Sequence, residues 1–285
     1  MSKIPKIIHY VWLGRGEKPK MFYRCLESWK KFCPDYEIKE WNEDNCDFQK
    51  SIYATQSYSK KKYGFTPDYI RAKVLNEYGG IYLDTDVEIV KSFDDLLDNE
   101  FVIGLENNVH CGTATLMSTP HHPFTELMCE FYKVKPYILP NGKIDFTPST
   151  PIWTYFLNKY YDMKLKNIKQ VLTSKFGDNY KTVTILPKDY FSPINYTTRK
   201  LKQTDNTHSI HYFNATWFTK KMKTREKFLR AIYYIFTPCL FDCFTRMYVK
   251  SVFSDLKNFE KSTNFASKIF VENNNYNNQK IIVNN

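Results

Sequence analysis

The alternation of apolar and polar positions lays out an α/β order from the first residues. Ile4 to Leu13 is a β-branched and aromatic run closed by Gly14-Arg-Gly16, which predicts an opening strand followed by a loop. Phe22, Cys25, Leu26 and Trp29 then recur at helical spacing within Met21 to Phe32, and Tyr36–Trp41 predicts a second strand. Strand, helix, strand in that order argues for a parallel pair joined by a crossover helix. The stretch from Thr66 to Tyr78 is punctuated as a helix: Thr66 as N-cap, Pro67 at the first helical position, Gly79-Gly80 as the stop. A strand begins at once with Ile81-Tyr-Leu83. Further strands are predicted at Glu100–Leu105, Gly112–Met117 and Thr182–Leu186, and helices at Phe124–Tyr132 and Ile152–Tyr161. No internal repeat is present.

A chain of 285 residues suits one substantial catalytic-sized domain with an appendage. Residues 1–219 form the predicted α/β domain. From Lys220 the character changes, as a Lys- and Arg-rich stretch to Arg230 leads into the apolar run Ala231–Phe241, which is too short to span a bilayer and is interrupted by Pro238. Residues 220–271 read as a basic, amphipathic helical segment and 272–285 as an Asn-rich disordered tail. The apolar face continuing through Phe244, Met247, Tyr248 and Val252 has two readings: a helix docked on the domain, or an interfacial helix whose cations meet an anionic membrane surface.

Composition narrows the partners. Aromatic residues make up 17% of the chain, more than a core requires, so some rings are expected to face ligands, sugars or a membrane interface. The net charge of +11 favours anionic partners, whether nucleic acid, acidic lipid or a phosphorylated small molecule. No nucleic-acid-binding signature accompanies it, and the cations before residue 220 are dispersed, so nucleic acid is not expected as a partner. The seven cysteines contain no Cys-x-x-Cys pair and read as reduced thiols. The opening residues lack the pattern of a signal peptide, so the expected location is cytoplasmic, with peripheral attachment to the inner face of the membrane under the interfacial reading.

The chemistry concentrates in Gly79-Gly-Ile-Tyr-Leu-Asp-Thr-Asp-Val87. Asp84 and Asp86 are one residue apart after a buried-looking strand, and strand alternation would put both carboxylates on one side. Two convergent carboxylates suit a hard divalent cation, Mn²⁺ or Mg²⁺, with positions left open for diphosphate oxygens. On the preceding helix Asp68 and Arg71 stand three apart and share a face. An Asp-x-Asp alone is also what a solvated turn looks like, and an Asp-Arg pair what a helix surface looks like.

The run from Thr66 to Asp86 resembles the "DxxR … GGxYxDxD" block of the DXD-containing glycosyltransferases, a group with yeast Och1-like mannosyltransferases, bacterial capsular-polysaccharide transferases and, more distantly, clostridial glucosylating toxins. Ile4-Pro-Lys-Ile-Ile-His-Tyr-Val-Trp-Leu-Gly14 is similar to the family's first strand, and Ser209-Ile-His-Tyr-Phe-Asn-Ala-Thr-Trp217 to its C-terminal "HxxxxSW" element, with Thr216 where the family has Ser. The resemblance spans roughly residues 4 to 217.

It implies a GT-A-like, Rossmann-related fold with a mixed central sheet, and a nucleotide-sugar donor. Asp86 would bind the metal and Asp84 the ribose, sugar or metal; Asp68 and Arg71 would hold sugar hydroxyls and the diphosphate. Trp12 would stack on the base, the alternative being a core tryptophan. His9 is expected to be a satisfied core histidine. His211, Asn214, Thr216 and Trp217 would close the site, one of them completing the metal's shell. Thr150-Pro151 matches a turn near the acceptor cleft. The implied reaction is retaining transfer of a hexose or N-acetylhexosamine, from a UDP-sugar in preference, to a glycan or lipid-linked glycan in capsular or surface polysaccharide synthesis. Alternatives are an effector-type transferase that modifies protein, and a basic nucleic-acid or anionic-surface binding protein. Arg71→Lys is expected to weaken donor binding while hardly changing stability.

Overall fold

The opening strand forms as β1 (Ile7–Val11), and the amphipathic run after Pro19 forms α1 (Lys20–Phe32), which buries Phe22, Cys25 and Trp29. β2 (Glu37–Trp41) returns parallel to β1, as the strand-helix-strand order requires. Next comes α2 (Ile52–Ser59), which the hydrophobic pattern did not mark; its start is capped by the Ser51 hydroxyl, accepting from the Ala54 amide. The computed structural model describes residues 3–175, 181–196, 198–214, 224 and 238–263.

α3 (Pro67–Tyr78) begins and ends where the punctuation places it, but Thr66 does not cap it with its side chain. Thr66 lies in helical backbone conformation, its hydroxyl 3.0 Å from that of Ser57, so α2 has claimed the group that sequence assigns to the cap. The two glycines then reverse the chain. Gly79 and Gly80 have φ of 67° and 90°, and a Cβ on Gly80 would lie 2.6 Å from the Ile7 carbonyl, so the close approach of β1 excludes any side chain.

β3 (Gly80–Leu83), β4 (Val87–Ile89), β5 (Phe101–Leu105), β6 (Cys111–Ser118), α4 (Pro123–Val134), α5 (Ser149–Tyr161), β7 (Gln170–Leu172), β8 (Val183–Leu186), β9 (Ser209–His211) and α6 (Pro238–Thr263) complete the order. Seven strands form one mixed sheet in the order β2-β1-β3-β6-β5-β8-β7, parallel at β1/β2, β1/β3 and β5/β8 and antiparallel elsewhere. β4 and β9 pair antiparallel as a separate ribbon. The expected α/β class with a mixed central sheet is therefore what the chain adopts.

Side-chain alternation along the strands divides the core. Ile81 and Leu83 face a layer with Ile8, Phe22 and Trp29, whereas Tyr82 faces the layer built by α3, α4 and α5. α6 docks on this second layer. Its Val252 and Leu256 are buried, and Glu260 accepts from Tyr155 Oη at 2.5 Å and from Lys159 Nζ at 2.7 Å. The docked reading thus describes Val252, while Met247 and Tyr248 are exposed. Among the described residues no helix is long and apolar enough to cross a membrane. The basic run 220–230 save residue 224, the apolar residues 231–237 and the tail 272–285 lie outside the described residues, as do the side chains of 238–244.

Candidate active site

β3 ends at Leu83, and Asp84, Thr85 and Asp86 form a turn closed by the Val87 amide donating to the Asp84 carbonyl at 3.1 Å. Strand alternation therefore does not bring the carboxylates together, contrary to the sequence expectation; the turn does. The ribbon supplies the third member. β4 pairs with β9 so that Val87 stands opposite His211, which delivers the imidazole to the turn from 125 residues away. Donor atoms of Asp84, Asp86 and His211 all lie within 4.8 Å of one another, the group among the described residues that could hold a cation.

Asp86 meets two partners: His211 Nε2 is 3.5 Å from Oδ1, and the Asn214 backbone amide donates to Oδ2 at 2.7 Å. Burial works against the Asp86 anion, but His211, foremost, and the Asn214 amide more than offset it and hold its pKa below the usual carboxylate value. His211 responds in reverse. Burial lowers it, yet Asp86 first and then Glu106 and Asp84 raise it above the ordinary imidazole value. Asn214 thus reaches the site through its backbone. Thr216 and Trp217 lie outside the described residues.

Asp68 and Arg71 are not a surface pair. Their side chains are 4% and 5% exposed, with Arg71 Nη2 lying 3.1 Å from Asp68 Oδ1 and 3.4 Å from Asp84 Oδ1. Arg71 Nη1 donates to the Thr113 carbonyl at 2.6 Å, its Cζ sits 4.8 Å over the Tyr82 ring, and Tyr53 Oη donates to Asp68 Oδ2 at 3.2 Å. Burial pushes Asp68 up to about 6, although Arg71 holds it down. The guanidinium therefore joins the helix carboxylate to the first aspartate of the turn, which sequence spacing could suggest for Asp68 but not for Asp84.

These residues line one cleft of about 710 Å³, together with Trp12, Tyr63, Thr150, Tyr196, Phe213 and Asn214. Trp12 is half-buried; its Nε1 donates to the Gly16 carbonyl at 2.8 Å and its ring lies 6.2 Å from Phe22, leaving the indole in the cleft wall. His9 is a core histidine: its Nε2 meets the Gly79 carbonyl at 2.8 Å and Trp41 Nε1 donates to its Nδ1 at 3.0 Å, and burial lowers its pKa to about 4. Among the described side chains, Cys25, Cys33, Cys46, Cys111 and Cys129 are free and buried. Glu106, Asn107 and His110, in the loop between β5 and β6, also line the cleft, and nothing in the sequence marked them. Glu106 is 12% exposed, and burial, with Asp84 and Asp86 adding to it, pushes its pKa up to about 7 against the opposing pull of His211.

Residues 19–102, which carry α1, α3 and the aspartate turn, match the family model described as "Glycosyltransferase sugar-binding region containing DXD motif". The chain carries the DXD sugar-binding region of glycosyltransferases. This DXD chain is 30% identical over 206 residues to inositol phosphoceramide mannosyltransferase 2 of Schizosaccharomyces pombe, covering 68% of the chain and 56% of the relative. It is 25% identical over 136 residues to inositol phosphoceramide mannosyltransferase 1 of the same yeast, covering 44% and 41%. The chain thus spans about half the length of the curated relatives it matches. Among solved structures, a PaToxG glycosyltransferase superposes with a TM-score of 0.41 at 19% identity, covering 55% of this chain and 69% of that one.

Proposed function

We propose that the chain is a metal-dependent transferase that moves a hexose or N-acetylhexosamine from a nucleoside diphosphate sugar to a glycan acceptor. The observation that carries it is the convergence of Asp84, Asp86 and His211 at a cleft whose wall also holds the buried Asp68–Arg71 pair. The donor set fits Mn²⁺ or Mg²⁺: two carboxylates, with one imidazole beside them and an open side towards the cleft. Bound there, the cation would stabilise charge on the departing diphosphate. Asp86 and His211 would hold it, with Asp84 steadied by Arg71. Arg71 presents a planar fork that also suits a phosphate oxygen, and the Trp12 ring offers a stacking face for the base.

The names of the two yeast relatives make mannose the first sugar to test and a phosphorylated lipid-linked acceptor the first acceptor class; UDP-hexoses form the second arm. An acceptor in capsular or surface polysaccharide, retention of configuration, and a cytoplasmic location with peripheral attachment to an anionic membrane belong to the same proposal. Protein purified with Mn²⁺ and offered GDP-mannose, UDP-hexoses and UDP-N-acetylhexosamines in turn is expected to release nucleoside diphosphate from one of them. Release by Asp86→Asn at the wild-type rate, or no release from any donor, would overturn the assignment.

A further inference from the structure

Glu106 is a buried carboxylate aimed into the cleft that the reaction as proposed does not use. Its position is built with some care by the chain. The pairing of β5 with β6 shifts register between Ile103 and Leu105, which turns the end of β5, and Gly112 lies opposite, where a Cβ would stand 3.3 Å from Glu106 Cβ and 3.5 Å from its Oε2. Each oxygen faces one imidazole: Oε1 is 3.7 Å from His110 Nδ1 and Oε2 is 4.0 Å from His211 Nδ1. Both of those nitrogens are buried and have no hydrogen-bond partner.

The protons on this chain of groups can be assigned from their neighbours. Asn107 Oδ1 accepts from the Val109 and His110 amides at 2.8 and 3.0 Å, which fixes the side-chain amide so that its Nδ2 points at His110 Nε2, 3.1 Å away. His110 Nε2 is then an acceptor, and the neutral ring carries its hydrogen on Nδ1, towards Glu106. Glu106 Oε1 thus faces the hydrogen-bearing nitrogen of His110 at 3.7 Å, and Oε2 faces His211 Nδ1 at 4.0 Å. His211 in turn has Nε2 towards Asp86. A carboxylate that accepts the Nδ1 hydrogen of a histidine fixes the ring and frees Nε2 as a ligand atom.

We propose that Glu106, anchored by His110 and Asn107, is a positioning residue that holds His211 with its hydrogen on Nδ1 so that Nε2 can bind the divalent cation beside Asp86. The inference rests on the metal-site reading of Asp84, Asp86 and His211. It is tested on the full chain with Mn²⁺ alone, by titrating the free-ion EPR signal. Glu106→Ala should bind Mn²⁺ about 10–100-fold more weakly than wild type, the scale for losing such a partner. His110→Phe should lose less, and the double variant should be no worse than Glu106→Ala, because both act through the same group. Gly112→Ala should also weaken binding by crowding Oε2. In the wild-type protein with diamagnetic Mg²⁺, ¹⁵N NMR should show the His211 hydrogen on Nδ1, the resonance being identified by its loss in His211→Gln; this measurement stands even where a variant fails to fold. Unchanged Mn²⁺ affinity in a folded Glu106→Ala protein overturns the positioning role alone, whereas a hydrogen on Nε2 overturns it together with His211 as a ligand of the cation. Absence of saturable Mn²⁺ binding by wild type overturns the metal-site reading and this inference with it.

Discussion

Replacing Arg71 by methionine separates what the residue does for the fold from what it does for a ligand. The guanidinium, 5% exposed, lies 3.1 Å from Asp68 and 3.4 Å from Asp84 and donates to Thr113 at 2.6 Å. Methionine keeps a shaft in that space but strands a buried carboxylate, and breaking a buried pair from one side costs about 3–5 kcal/mol. An exposed helix pair would cost only about 0.3–0.5 kcal/mol, so burial decides the magnitude. The effect should also depend on pH. Asp68 already has its folded pKa pushed up to about 6 by burial with Arg71 opposing, and without the guanidinium it rises further. A carboxyl whose folded pKa exceeds its unfolded value loses stability as pH rises from the unfolded pKa through the folded one. Arg71→Met should therefore be more destabilising at about pH 8 than at about pH 5, where Asp68 can take up a proton and become neutral. Urea unfolding followed by tryptophan fluorescence at the two pH values measures both. Asp68→Asn added to Arg71→Met should return about 1–3 kcal/mol at the higher pH, since the stranded charge is gone. A loss below about 1 kcal/mol that is the same at both pH values would mean that Arg71 does not neutralise a buried Asp68.

Asp86→Asn should abolish transfer with the melting temperature little changed, and EDTA should reproduce the loss until Mn²⁺ is restored; full activity in EDTA would require a metal-free route. Trp12→Ala should weaken nucleoside diphosphate binding by about 1–3 kcal/mol in calorimetry, whereas an unfolded variant would return the ring to the core. Glu260→Ala should destabilise the protein by about 1.5–3 kcal/mol in thermal or urea unfolding, because it leaves Tyr155 and Lys159 without the carboxylate that docks α6. An unchanged melting curve would mean that α6 is held by its apolar contacts, Val249, Val252, Phe253, Leu256 and Phe259.

Much of the frame was legible in one dimension because local rules govern it. Helical spacing in Met21–Phe32, β-branched runs, and the Pro67 and Gly79-Gly80 punctuation act within a few residues, and the strands and helices they predict form at their expected ends or close to them. The Asp68, Arg71, Asp84 and Asp86 block was legible for the same reason: one helix, one glycine turn and one short strand carry it. Other features answer to partners distant in sequence. Thr66 lost its capping role because α2 offered Ser57, and α2 itself has no strong amphipathic pattern to announce it. His211 joins the aspartates only because β4 pairs with β9, and Arg71 reaches Asp84 only because β3 is laid beside α3. Glu106 was invisible to spacing. Its burial, its two histidine neighbours and the gap that Gly112 leaves for it arise from strand pairing and loop packing across the sheet, which composition and periodicity do not encode. Short-range sterics and side-chain periodicity write the α/β order and the aspartate turn into the local sequence; which distant imidazole and which buried carboxylate face that turn follows from register between strands far apart in the chain.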